Sequence, residues 1–94
     1  MGVIAEDTVL AFQQAASMQA VADGAVILLA DSGQLYTGNG TTEAILRRID
    51  GQRQIGDLAA ALCDEFDIDP ETAVADTIEI AERLVGEGVL RVVE

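Results

Sequence analysis

Residues 69–88 read DPETAVADTIEIAERLVGEG and predict one helix with both ends marked. Asp69 suits the N-cap, Pro70 the first helical position, and Gly88 the left-handed residue that ends a helix. The apolar residues form two adjacent stripes covering about 160° of the helix, wider than the ~100° that a core-facing helix needs. One stripe consists of Val74, Ile78, Ala81 and Val85, and the other of Ala73, Thr77, Ile80 and Leu84. Either both stripes pack into a core, or one forms the wall of an apolar groove.

The composition indicates one small domain with an aliphatic core. Half of the 94 residues are hydrophobic, but only two Phe and one Tyr are aromatic. The formal net charge is −12, from 17 acidic residues against five basic ones, all of them Arg. Such a surface repels nucleic acid and anionic membranes, so we expect neither as a partner. No apolar run is long enough to span a bilayer and no signal peptide is visible, which favours a cytoplasmic protein.

The first forty residues predict a three-stranded antiparallel meander behind an N-terminal arm. The apolar residues of 1–17 show neither a helical nor a strand period, so this stretch is predicted to be a loosely ordered arm, although residues 8–12 could form a short strand. A single domain is then expected over residues 18–94. Strands are predicted at residues 18–21, 25–30 and 34–37, joined by turns at Asp23-Gly24 and Asp31-Ser32-Gly33 and ended by Asn39-Gly40. The continuous apolar run 25–30 is typical of a strand covered on both faces.

Three helices are predicted to follow the meander. The first is capped by Thr41 or Thr42 and ends at Asp50-Gly51, the second covers about residues 55–66, and the third is the helix described above. Residues 89–93 have strand character and could pair back onto the domain. The order predicts a small α+β domain of winged-helix type, with a three-stranded meander, three helices and a short C-terminal strand.

The sequence contains few residues that could form a catalytic site or bind a cofactor. The chain has no His, and its one cysteine, Cys63, sits among apolar residues where it reads as a small buried hydrophobe. The many carboxylates lie at solvent-facing helical positions, so we expect no active site, metal or cofactor. Asp31-Ser32 allows one alternative, an acidic carrier protein of the acyl-carrier type. However, Gly33 follows the serine where such carriers have Leu, and a strand precedes it. Binding of DNA by the last helix is disfavoured by its exposed acids.

In their order and spacing, several short stretches of this sequence resemble those of the PqqD family, also called RiPP recognition elements. The likeness covers about residues 20–92 and rests on an ordered set of short matches with their spacings. These matches are Asp23-Gly24, Ile27-Leu28-Leu29-Ala30-Asp31, Gly33-Gln34-Leu35-Tyr36, Asn39, Ala44-Ile45-Leu46, Ile49-Asp50-Gly51, Ile55-Gly56-Asp57-Leu58, Phe66-Asp67-Ile68-Asp69, Asp76 and Gly88-Val89-Leu90. The chain departs from the family at Gly38, where Leu is usual, and at Leu46 and Ile80, where aromatic residues are frequent.

The resemblance implies a non-catalytic module that captures the leader of a ribosomally made precursor peptide. In this family the leader adds as a strand to the edge of the meander, lies against the third helix, and is presented to a modifying enzyme. That enzyme is often a radical SAM enzyme or, in lasso-peptide systems, a leader peptidase. An open edge strand suits such a role because its unpaired N–H and C=O groups can bond to an extended peptide. An interaction or regulatory domain sharing the fold is a further alternative.

Two sets of residues are predicted to bind the leader. The strand that pairs with it comprises Gln34, Leu35, Tyr36, Thr37 and Gly38, where Gly38 would allow a backbone to approach closely. The helix contributes Thr77, Ile80 and Leu84 as an apolar wall, flanked by Asp76 and Arg83. The opposite stripe stays open as an alternative. The exposed edge also allows two copies to pair, or the N-terminal arm could be exchanged between copies; either would give a homodimer that hides the groove.

Overall fold

The computed structural model describes residues 4–93 and has the predicted α+β architecture. A three-stranded antiparallel meander precedes three helices and a C-terminal strand. The elements in chain order are β1 (Val9–Phe12), β2 (Ala16–Val21), β3 (Gly24–Leu29), β4 (Gln34–Asn39), α1 (Gly40–Leu46), α2 (Ile55–Phe66), α3 (Pro70–Gly86) and β5 (Leu90–Val93).

The meander has the order β2-β3-β4, with β3 in the centre. Alternate residues of β3 point to opposite faces, and those on the inner face, Ala25, Ile27 and Leu29, are buried against the helices. On the outer face Leu28 is 40% exposed. The expectation that this strand is covered on both faces is therefore wrong, because no described helix or strand packs on the outer face.

The N-terminal segment is part of the domain, which corrects the prediction of a loose arm over residues 1–17. β1 pairs antiparallel with β5, and Leu10 is only 1% exposed. The segment before β1 is also fastened to α2, since the N–H groups of Ile55 and Gly56 donate to the carbonyls of Thr8 and Glu6, both at 2.9 Å. Only residues 1–3 of the predicted arm lie outside the described part.

The ends of the helices follow local capping chemistry. α2 has the predicted bounds, and α3 begins as predicted at the N-cap Asp69, whose carboxylate accepts from the N–H of Thr72 at 3.1 Å. Hydrogen bonds from the hydroxyl and the N–H of Thr72 hold the pKa of Asp69 below its usual value. Beyond α3, Gly88 has the expected positive φ of 82°.

The start and end of the first helix differ from the prediction. Asn39, not Thr41 or Thr42, is the N-cap, because its side chain accepts from the N–H of Thr42 at 3.0 Å. Asn39 is also the last residue of β4, so the strand extends two residues beyond the predicted 34–37 and ends at Asn39-Gly40 as predicted. α1 ends at Leu46, before the predicted stop at Asp50-Gly51.

The core lies between the inner face of the meander and the three helices. Its residues are almost all aliphatic, as the composition predicts, and come from every helix and from strands of both sheets. None of the helices in the described part of the chain is both long and apolar enough to cross a membrane.

We predict that Leu10→Ala lowers the free energy of unfolding by about 2–5 kcal/mol, because it leaves a cavity where β1 meets the core. Urea denaturation followed by circular dichroism measures the change. Val21→Ala, at a side chain that is 50% exposed, is the control and should change stability by less than about 0.5 kcal/mol. Equal small losses in both variants would show that the N-terminal segment is dispensable.

Candidate functional site

Of the two edge strands of the meander, β2 and β4, the one predicted to bind a peptide is β4. This strand pairs with β3 along one side, and no strand within residues 4–93 pairs with the other. All five predicted strand residues lie in β4: Gln34, Leu35, Tyr36, Thr37 and Gly38. Leu35 is 65% exposed, and Tyr36 is half-buried against the core. The edge therefore presents backbone hydrogen-bonding groups and an exposed apolar side chain together.

The register identifies which β4 residues face the open edge. The N–H of Ala30 donates to the carbonyl of Ala15 at 2.9 Å, which makes these two residues a hydrogen-bonded pair. Hydrogen-bonded pairs alternate along antiparallel strands, so Ile27 directs its backbone groups toward β4 and pairs with Tyr36. Leu35 and Thr37, on either side of Tyr36, then point their N–H and C=O groups outward. These two residues are the backbone docking points of the edge.

A cleft of about 290 Å³ lies between the end of β4 and α3, and we call it the β4–α3 cleft. The junction of β4 with α1 forms one side, and an exposed part of α3 forms the other. Its lining residues are Asn39, Thr41, Thr42, Asp76, Glu79, Ile80 and Arg83. Ile80 is the one apolar side chain among them, so the cleft is more polar than the predicted apolar groove.

The structure divides the predicted helix residues into two groups. Asp76, Ile80 and Arg83 line the β4–α3 cleft, as expected from their shared face. Thr77 and Leu84 are both 0% exposed and belong to the core, which corrects their assignment to the groove wall. Thr77 is accommodated there because its hydroxyl donates to the carbonyl of Ala73 at 2.7 Å.

Three charged side chains on α3 surround Ile80 and form no ion pairs with one another. Asp76, Glu79 and Arg83 are exposed, and none of the three is in an ion pair with another described residue. The arginine is therefore free to bind a carboxylate, and the two acids are free to bind a cation. The cleft combines one apolar contact with charges of both signs.

Gly38 is required by the protein itself. A Cβ at this position would lie 2.6 Å from Cγ2 of Thr42, the side chain that packs over β4 from α1. The expectation that Gly38 makes room for an approaching peptide backbone is thus replaced by a packing role. Its outward neighbour Thr37, not Gly38, offers backbone groups to the edge.

Sequence reasoning missed four residues of the cleft: Asn39, Thr41, Thr42 and Glu79. The capping preference of Asn was a usable signal, because an Asn three residues before Thr42 can start α1 and fix the corner between strand and helix. Glu79 and Thr41 gave no local signal, since their place in the cleft depends on how α3 crosses the meander.

The residues named as alternatives for chemistry are not gathered into a site. Ser32 is exposed in the turn between β3 and β4, where the sequence predicts a turn at Asp31-Ser32-Gly33. Cys63 is half-buried on α2. Across residues 4–93 no group of three or more potential metal ligands is present. The edge of β4 and the cleft beside it are therefore the candidate site.

The sequence of the domain matches one protein family. The model for Coenzyme PQQ synthesis protein D (PqqD) aligns with residues 24–90, which include β3, β4, the three helices and the start of β5. This chain belongs to the PqqD family. The search of curated proteins found no match.

Solved structures share the PqqD-family fold at low sequence identity. TbiB1 in complex with the TbiA(beta) leader peptide has a TM-score of 0.77 and 18% identity, over 85% of this chain and 93% of TbiB1. Lasso peptide synthetase B1 complexed with its leader peptide has a TM-score of 0.77 and 23% identity, over 93% and 99%.

A third similar structure is the PqqD truncation of Methylobacterium extorquens PqqCD, which is described as a functional, stand-alone RiPP recognition element. Its TM-score is 0.80, with 19% identity over 95% of each chain. The winged-helix fold predicted from the sequence is thus shown both by the family match and by these structures.

We predict that Gly38→Ala destabilises the PqqD-family fold by about 1–3 kcal/mol, because the added methyl group overlaps Thr42. Gly40→Ala is the matched control, since a Cβ there meets no atom within 4 Å. Thermal unfolding of both variants measures the difference. Similar melting temperatures would mean that Gly38 does not support α1 by close packing.

Proposed function

We propose that this protein is a peptide-binding module that captures the leader of a ribosomally synthesised precursor by strand addition to β4. In this proposal the leader lies along Leu35 and Thr37 and reaches the β4–α3 cleft, where Asp76, Ile80 and Arg83 contact its side chains. The single observation that carries the proposal is an open, uncharged edge strand placed directly beside that cleft. The family match adds independent support.

The backbone hydrogen bonds between β4 and the leader fix the position of the leader but contribute little of its binding free energy. Each hydrogen bond exchanges a bond to water for one to the peptide and contributes only about 0.5–1.5 kcal/mol. A fully buried apolar side chain contributes roughly 1.5–3 kcal/mol. Ile80 and the half-buried Tyr36 offer such contacts to inward-pointing leader side chains, while the exposed Leu35 offers one to an outward-pointing side chain. The leader should therefore carry apolar residues on both sides of its strand.

We propose that the chemistry is done by a separate modifying enzyme and that this chain itself is not catalytic. The absence of His from the sequence and the position of Ser32 in an exposed turn support this. The receiving enzyme would be a radical SAM enzyme or a leader peptidase, the two classes that the family resemblance implies. Because ribosomal precursors are made in the cytoplasm, we place the complex there.

We predict that one leader peptide encoded beside the gene binds with a Kd in the micromolar range or tighter, measured by fluorescence anisotropy. Ile80→Glu should weaken this binding by at least about tenfold, since the charge replaces the apolar contact of the cleft. Ile78→Glu is the matched control, because Ile78 is on the other side of α3 and does not line the cleft. Equal loss in both variants, or loss only in Ile78→Glu, would contradict the proposed site.

We predict that backbone N-methylation of the leader, one residue at a time, weakens binding with a period of two residues. Only alternate amides of an added strand donate to Leu35 and Thr37, and methylation also blocks close pairing at those positions. Anisotropy titrations of the methylated peptides measure the pattern. Uniform tolerance along the peptide, or a period near four that indicates a bound helix, would exclude strand addition.

A further inference from the structure

The side of α3 opposite the β4–α3 cleft carries a second and larger concave surface. A groove of about 720 Å³ runs along the first half of the helix, and a smaller one of about 220 Å³ adjoins it over α2. They share Glu6, Pro70 and Val74, so we treat them as one surface and call it the back groove. Its lining residues are Glu6, Gly56, Ala59, Ala60, Cys63, Asp69, Pro70, Glu71, Val74, Ala75 and Ile78.

The back groove has an apolar floor and an acidic rim. Val74, Ala75 and Ile78 form the floor along α3, and the small residues of α2 continue it. The charged residues that line it are all acidic, namely Glu6, Asp69 and Glu71. Between Asp57 and Glu82 the sequence has nine acidic residues and no basic one. An occupant must therefore combine an apolar face with positive charge.

The groove is held in shape by the fold. Glu6 is fixed because its carbonyl accepts from the N–H of Gly56 at 2.9 Å, and Asp69 is fixed as the N-cap of α3. From Pro70 to Ile78 the floor extends about 12 Å along the helix axis, or roughly two turns. This length suits an amphipathic helix presenting apolar residues at i, i+3 or i+4, and i+7.

The two surfaces of α3 lie on either side of its buried stripe. Ile78 in the back groove and Ile80 in the cleft are separated by about 200° around the helix. The buried residues Thr77 and Ala81 lie between them and face the core. The buried stripe therefore separates the two surfaces on the core side of α3, whereas on the solvent side Ala75 of the back groove lies one turn from Glu79 of the cleft.

A second copy of this chain is a poor occupant. Its net charge of −12 repels another copy, and three of its five arginines are already in ion pairs. Arg47 and Arg48 both contact Glu65, and Arg53 contacts Asp50. A different protein with a basic face of its own therefore fits the groove better than a second copy.

We propose that the back groove docks a basic amphipathic helix of the modifying enzyme while the leader occupies β4 and the cleft. That the partner is the modifying enzyme rests on the proposed function. The preference of the groove for a basic amphipathic helix does not depend on that function. The module would then join leader and enzyme through opposite sides of one helix.

The test uses a fluorescent, helix-forming peptide with a leucine face and a lysine face as the probe. We expect saturable binding that Ile78→Glu and Ala75→Glu each weaken about tenfold. Ile80→Glu, which adds the same charge on the other side of α3, should leave it unchanged. Ala75 is exposed, so its variant does not depend on repacking the core. Retained binding in both Ile78→Glu and Ala75→Glu would show only general attraction to an acidic protein and overturn the proposal, as would absence of binding.

Cys63 provides a second readout in the unmodified protein. It is the only cysteine of the chain and lies half-buried in the back groove. We expect the lysine–leucine peptide to slow its reaction with a thiol reagent at least threefold, and the leader to leave the rate unchanged. An unchanged rate at saturating peptide would place the peptide elsewhere. Failure of the leader to bind would refute the proposed function alone, since binding of the lysine–leucine peptide is measured without the leader.

Discussion

The structure depends on the burial of one narrow stripe of α3. Ala73, Thr77, Ala81 and Leu84 are all 0% exposed and fix the helix against the core. Because three of these four side chains are small, the helix can approach the core closely along this stripe, and Val74, Ile78 and Ile80 beside it add partly buried contacts. The two apolar stripes of the sequence together are wider than this buried stripe, so half-buried apolar residues lie on both sides of the buried stripe. Those two sides, one facing the β4–α3 cleft and one facing the back groove, are the surfaces available for recognition.

Much of the fold could be predicted because its signals are local. The cap at Asp69, the glycine after α3 and the turn at Asp23-Gly24 each depend on residues close in sequence. Residues 8–12 could be named as a possible strand, but the pairing and burial of this N-terminal strand could not be predicted in the same way. β1 is a strand because it pairs with β5, about eighty residues later, and because Leu10 completes the core. Local periodicity carries no information about such a partner.

The candidate site was predicted less completely, for a physical reason. Helical periodicity groups Thr77, Ile80 and Leu84 on one face, but it cannot say where the core ends and the surface begins along that face. Thr77 was predicted to belong to the apolar wall of a groove, yet it is buried in the core, where its hydroxyl bonds to the preceding turn of the helix. Ile80 lies just beyond the buried stripe and reaches the cleft. Gly38 was read as space for a ligand, whereas that space is filled by Thr42.

The central claim is that a peptide pairs with the outward backbone groups of β4. The most direct measurement is residue-resolved amide hydrogen exchange, by NMR, without and with a saturating leader peptide. The account predicts fast exchange at Leu35 and Thr37 in the free protein and strong protection in the complex, since only then do these amides have acceptors. Unchanged exchange at Leu35 and Thr37 in a saturated complex, or new protection confined to β2, would contradict it.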